Sequence, residues 1–350
     1  MRHRPVFLLI FAVFALSAIT LPAAAQPPIT TPQASPAAHV EQTVGITEIA
    51  IDYHRPRVNG RQIWGTLVPF DQVWRAGANE NTTIRFSTPV KVEGQDLAAG
   101  TYGLHTLPTA GSWTVIFSRN STSWGSFTYD PEEDALRVEV KPQPAEQEEW
   151  LSYSFEDLSA NGATVALRWE KLKVPFRIEV DTPNLVLANA RNELRGIQRF
   201  SWQGWFQAAQ YAFRNGLALE EAAAWTDRAI GLEENGQTLG LKAQILQQLG
   251  RTEEFETTLA KAVEVANEPQ LNLLGYAVLG QGDTARAIEL FEENTRRHPD
   301  SWNVWDSLGE AQAAAGQTAD AAKNYKKALA AAPDGQKSRI EGVLKDLAAK

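Results

Sequence analysis

The sequence predicts an antiparallel β-sandwich followed by a short tandem array of helical hairpins, so that the first half is all-β and the second all-α. Three observations carry this. Between residues 46 and 180 apolar and polar side chains alternate with period two. From residue 184 onward only helical periodicity remains, and the helical half repeats itself at a spacing of 34 residues. A chain of 350 residues is also too long for one typical domain and long enough for two separate cores.

The first segment reads as an export signal. Arg2 and Arg4 precede the apolar run VFLLIFAVFALSAI, and Ala23-Ala24-Ala25 supplies small residues for cleavage. The run is shorter than the ~20 apolar residues a membrane span needs. Residues 1–25 are therefore expected to be removed, giving a mature chain from about Gln26 in the periplasm or outside the cell, with no membrane span left. Residues 26–40, with four prolines and few large apolar groups, are predicted to be a flexible leader.

The chain has no cysteine, which excludes disulfides, thiolate metal sites and a lipid-modified cysteine anchor. Net charge is −9, and acidic groups outnumber basic ones in both halves, so no nucleic-acid partner is expected. Nothing in the composition calls for a cofactor.

Residues 41–180 are assigned to the sandwich, with about eight to ten strands. The segments ITEIAIDY (46–53), TTIRF (82–86), SWTVIF (112–117), ALRVEV (135–140), TVALRWE (164–170) and PFRIEV (175–180) are its clearest strands. VNGR, EGQD, AAGT, TAGS and SANG supply turns too short for helical crossovers. Asp181 and Thr182 before Pro183 then read as a helix start.

Residues 181–350 are assigned to the repeats. Trp305, Leu308 and Gly309, then Ala321, Tyr325 and Ala328, and finally Pro333 match the tetratricopeptide pattern; Leu271, Leu274, Gly275, Ala287, Phe291 and Pro299 match it one unit earlier. Inter-helix glycines at 216, 250, 282 and 316 fix the phase and indicate two more degenerate units upstream. The small residues are expected to let helices approach, with the aromatic filling the gap to the next unit. The segment Lys337 to Leu347 reads as a terminal cap, giving a short tetratricopeptide-like α-solenoid.

The run RPRVNGRQIWGTLVPFDQVWRAGANENTTIRFSTPVKVEGQDLAAGTYGLHTLP, followed by WTVIFS, STSWGSFTYDPEEDALRVEVKP and LRWEKLKVPF, resembles a bacterial exported family catalogued as domain of unknown function 2911, over about residues 41–180. The resemblance implies a fold class and, in some members, helical repeats after it. It implies no activity.

Polar and aromatic residues of this block gather at Arg55 to Trp64, Trp74 to Asn81, His105 and Ser121 to Ser126. The stretch VWRAGANENTTIRF has two readings. Either Gly77, Asn79 and Asn81 make a turn in which Arg75 pairs with Glu80 and the asparagines hold the loop backbone, or Arg75 binds an anionic or hydroxyl-rich ligand that Asn79 and Glu80 orient. His105 interrupts a strand and is either a hydrogen-bonded structural residue or part of that site. Trp64 and Trp124, beside glycines at loop edges, are candidates for stacking on a sugar. In the helical half Trp202, Trp205 and Trp302 are candidates for contacting a protein partner or for sealing the array against the sandwich.

The leading expectation is a non-enzymatic envelope scaffold. Its repeats would bind a protein while the β-domain offers a ligand or docking surface, with a glycan or other small molecule as the ligand. One rival is a hydrolase of envelope carbohydrate using Glu80 and His105, with Arg75 clamping substrate; the other is a purely structural linker module. No spaced metal signature supports a site built from His54, His105 and Glu80.

Overall fold

The computed structural model describes residues 31–349. The export signal and the start of the leader lie outside the described residues. Ten strands follow: β1 (Ala37–Val44), β2 (Thr47–His54), β3 (Thr83–Phe86), β4 (Val90–Val92), β5 (Gln95–Leu97), β6 (Gly100–Leu107), β7 (Trp113–Ser118), β8 (Asp134–Val140), β9 (Gln143–Ser159) and β10 (Gly162–Glu179).

They form two antiparallel sheets, ordered β1-β2-β3-β6-β7-β8 and β5-β4-β10-β9. Period-two alternation turns Ile49, Ile51, Ile84 and Phe117 of the first sheet toward Val165, Leu167 and Phe176 of the second, making one continuous core.

Two strands differ from expectation for physical reasons. Residues 37–40, assigned to the leader, already belong to β1, which pairs with β2 from Ala37 opposite His54. This is an edge strand whose small and polar residues stay largely exposed, so its sequence carries little apolar signal. The segments read as two strands at 164–170 and 175–180 are one strand. Glu170 adopts φ 56 and marks register shifts against β9, and the buried phase switches from Val165, Leu167 and Trp169 to Val174, Phe176 and Ile178.

Ten helices follow: α1 (Thr182–Glu193), α2 (Trp202–Arg214), α3 (Leu219–Leu232), α4 (Gly236–Gln248), α5 (Thr252–Val265), α6 (Glu268–Gly280), α7 (Thr284–Arg297), α8 (Trp302–Ala314), α9 (Thr318–Ala331) and α10 (Asp334–Ala348). Asp181 caps α1 ahead of Pro183, as the sequence indicates. Asn235 and Asn267 open α4 and α6 with reciprocal capping boxes.

The helices pair as four hairpins from α2 to α9, with α10 packed on α9. Each hairpin turns at one of the foreseen glycines, all left-handed: Gly216 (φ 63), Gly250 (φ 73), Gly282 (φ 89) and Gly316 (φ 76). Phe291 of α7 sits over Gly275 of α6, and Tyr325 of α9 over Gly309 of α8, so each ring fills its own hairpin, while Phe291 shares a core with Leu308 and Ala311 of the next and Tyr325 one with Ile340 of α10.

Candidate functional site

Between β2 and β3 the chain runs from Arg55 to Thr82 without a named strand. VWRAGANEN is therefore the last stretch of a long crossing segment, not the tip of a hairpin. It is pinned to β6: Trp74 and Thr106 exchange backbone hydrogen bonds at 2.8 Å each, and Leu104 donates to Thr82 O at 2.8 Å. The left-handed positions are Ala76 (φ 50) and Asn79 (φ 57). Gly77 serves by its smallness instead, since a Cβ there would come within 2.5 Å of Thr82 Oγ1.

The loop between β7 and β8 folds over this segment and over the outer face of β6. Oriented so that both amide atoms are satisfied, Asn81 Nδ2 donates to Gly125 O (2.6 Å) and Ser123 O (3.3 Å), and Asn79 Nδ2 donates to Ser35 O (3.2 Å). Both asparagines hold backbone, though of neighbouring segments rather than of their own loop. Gly125 lies so close to Arg75 that a Cβ would fall 2.2 Å from Nη1. The Phe127 ring stands 6.0 Å from the Arg75 guanidinium carbon.

Arg75 does not pair with Glu80. Glu80 instead meets His54 Nε2 at 3.3 Å and is itself exposed. Arg75 Nε is buried without a hydrogen-bond partner, and burial lowers the guanidinium's pKa against the opposing pull of the Glu80 charge.

His105 is 2% exposed and lies beneath the loop, with Nδ1 2.9 Å from Ser126 Oγ and its ring 5.5 Å from Tyr129. Tyr129 donates to Asp134 at 2.6 Å, and Arg137 Nε donates to the same carboxylate at 2.5 Å. Burial depresses the His105 pKa to about 4, with Asp134 pulling the other way. Burial and the Asp134 carboxylate push Tyr129 up to about 12.

Of the residues named for carbohydrate hydrolysis, Glu80 meets His54 and His105 meets Ser126. Among the described residues no three histidine, aspartate or glutamate side chains gather as a metal set.

What does form is a cleft of about 520 Å³ in which Arg75 and Ser126 face Trp74, Trp169 and the exposed Phe127, with Arg61 also on its wall. Trp64 is corrected from platform to filler. Its indole packs 5.9, 4.9 and 5.8 Å from those of Trp74, Trp113 and Trp169. Trp124 is 59% exposed on the covering loop but does not line the cleft. Phe127, Arg61 and Trp169 were not singled out from the sequence; only the aromatic density of the block hinted at them.

In the helical half, α2, α4 and α6 line a groove of about 280 Å³. Its apolar contacts come from Phe206, Phe213 and Leu273, and its polar ones from Gln210, Gln237 and Gln244. The three tryptophans proposed for partner contact lie elsewhere. Trp202 packs edge-on to Phe206 at 5.7 Å, Trp205 donates to Arg199 O at 2.9 Å, and Trp302 packs against the core beneath α9 and α10. Nor do Trp202 and Trp205 seal the array against the sandwich. Trp205 packs with Leu187 and Leu194 of the helical half, whereas Leu185 is the residue of that half packed on the sandwich core.

The fold defines a class: an antiparallel β-sandwich followed by tetratricopeptide-like helical repeats. Residues 35–178 match the family described as protein of unknown function (DUF2911), and residues 236–269 and 272–335 match tetratricopeptide repeats. The domain order foreseen from the sequence is the order found. No curated protein matches the chain.

Solved structures similar to it include MamA (17% identity, TM-score 0.31, covering 45% of this chain and 92% of that one). Another is YrrB, titled a TPR protein with an unusual peptide-binding site (18%, 0.30, 46% and 84%). A third is PilF of Pseudomonas aeruginosa (17%, 0.31, 43% and 68%). At these values the likeness transfers none of their functions. Among the described residues no helix is long and apolar enough to cross a membrane.

Proposed function

We propose that this is an exported scaffold of the cell envelope whose repeats hold an extended segment of a protein partner while the sandwich offers a ligand or docking surface. The observation that carries this reading is the groove of α2, α4 and α6. Phe206, Phe213 and Leu273, the last 57% exposed, offer apolar contact to side chains, while glutamine amides can both donate to and accept from an extended backbone. The named groove residues are uncharged apart from Arg214 at one end, which suits a partner recognised by shape and backbone more than by charge.

Site-directed photo-crosslinking tests this. A benzoylphenylalanine at Gln244, in the groove, is expected to capture a discrete partner that the same group at Thr257, exposed on α5, does not. Leu273→Asp is expected to weaken capture at least tenfold, as the loss of a central apolar anchor does, with unchanged helical ellipticity. Equal capture at both positions would remove the groove reading.

The export half of the proposal rests on Arg2, Arg4, the apolar run and the alanine-rich exit. Fractionation followed by terminal sequencing is expected to find the chain in the envelope fraction, starting near Gln26. A full-length cytoplasmic product would refute it.

A further inference from the structure

We propose that the cleft floored by Arg75 binds a small organic anion, a carboxylate carried on an apolar body. The proposal deepens the reading of the sandwich as a ligand surface and does not depend on the groove in the repeats.

The argument begins with what the arginines of the sandwich touch. Each of the others makes at least one hydrogen bond. Arg55 donates to Leu151 O, Arg119 to Asp134 O and Arg177 to Asp157 O; Arg85 pairs with Glu48 and Arg168 with Glu156. Arg57, Arg61 and Arg137 are likewise engaged. Among the described residues Arg75 has neither hydrogen bond nor ion pair, although its Nε is buried and Gly125 presses on Nη1. A partly buried cation that makes no direct hydrogen bond or ion pair keeps donors free for an external anion.

The surroundings specify that anion. The cleft wall carries two guanidinia, Arg75 and Arg61, and no carboxylate, in a chain of net charge −9. A neutral sugar would leave the charge uncompensated. A phosphate would leave the apolar walls unused. A carboxylate can accept from the Arg75 guanidinium N–H that lines the cleft, with the Ser126 hydroxyl on the same wall. The walls then suit the rest of the ligand. The half-buried Trp74 indole is backed by the buried Trp169, stacked at 5.9 Å and 19°, and Phe127 projects into solvent at 82% exposure beside the guanidinium. An aromatic ring so exposed gains contact only when something covers it.

Binding can be read in the full chain from the fluorescence of the tryptophan cluster and by calorimetry, using 4-phenylbutanoate, its amide and inorganic phosphate. The acid is expected to bind at least tenfold more tightly than either of the others. Arg75→Gln is expected to abolish that preference and Arg75→Lys to retain part of it. Arg85→Gln, on β3 and paired with Glu48, is expected to leave it unchanged.

A second measurement needs no ligand. Arg75→Met is expected to raise the melting temperature of the free protein, because it removes an uncompensated charge, whereas loss of a structural arginine would lower it. Equal binding of acid and amide, absence of saturable binding of the acid, or a lowered melting temperature in Arg75→Met would each overturn the assignment. None of these outcomes bears on crosslinking at Gln244, so the two proposals fail separately.

Discussion

Gly275→Ala is expected to unfold the central repeats at a temperature where the sandwich is still intact. The added methyl would stand 2.5 Å from Cε1 and 2.6 Å from Cζ of Phe291, a ring that is itself fully buried and has nowhere to move. Overpacking of this kind costs about 1–3 kcal/mol, and in an array each hairpin is supported mainly by its neighbours.

The loss should therefore spread along α4 to α9 and leave amide protection in the sandwich unchanged. Far-ultraviolet melts report the helices, and because Trp202, Trp205, Trp225, Trp302 and Trp305 of the helical half also contribute in the near ultraviolet, amide exchange of β2 and β10 is the readout that follows the sandwich separately. If the clash is the cause, combining Gly275→Ala with Phe291→Leu should cost less than the sum of the single changes. Strict additivity would place the damage elsewhere.

The second large effect is a pH dependence of the sandwich. His105 titrates near 6.5 in the unfolded chain and at about 4 when folded, because its buried ring resists charging. Between those values the unfolded state binds the extra proton. The stability conferred by neutral His105 is thus fully present above pH 6.5, is lost as pH falls toward 4, and changes no further below that. The difference corresponds to about 3 kcal/mol.

His105→Asn removes the titrating group while keeping an amide near Ser126 Oγ. Urea unfolding followed through the tryptophan signal is expected to show the unmodified protein losing about that much more stability than the variant between pH 7 and pH 4. Carboxylates such as Glu156, held below its usual pKa by Arg168, also weaken the fold in acid, but they do so in both chains. Parallel pH profiles would rule out a buried neutral histidine.

How much was legible follows from where each signal lives. The glycines at 216, 250, 282 and 316 were readable because a left-handed hairpin turn demands that residue type, and the small-residue contacts at Gly275 and Gly309 because close helix packing does. The strand β9, QPAEQEEWLSYSFEDLS, was not readable. It is an edge strand whose acidic residues stay at least partly exposed, so little of it alternates.

In the candidate site, Arg75, His105 and Ser126 stood out because aromatic and polar residues clustered in their segments; the structure puts Arg75 and Ser126 on one cleft and His105 against Ser126. It could not say that Glu80 would turn to His54, since i+5 spacing on an irregular segment fixes no direction. Nor could it show that Trp64 would be packed among three other indoles, because those lie far apart in sequence and only the closed sandwich brings them together.

The passage from sandwich to repeats takes two residues, Val180 and Asp181, between the end of β10 and the start of α1. The turn after β1 presses against that start: a Cβ on Gly45 would meet Thr182 Oγ1 at 2.3 Å. β10 is an interior strand, bonded to β9 on one side and β4 on the other. Tension applied through a partner held by the repeats would thus enter the sandwich lengthwise along an inner strand. Its ladder bonds lie across the direction of pull and would have to shear together rather than unzip one by one. Such a junction would carry a pull on the repeats into the sandwich along β10 instead of across its ladder.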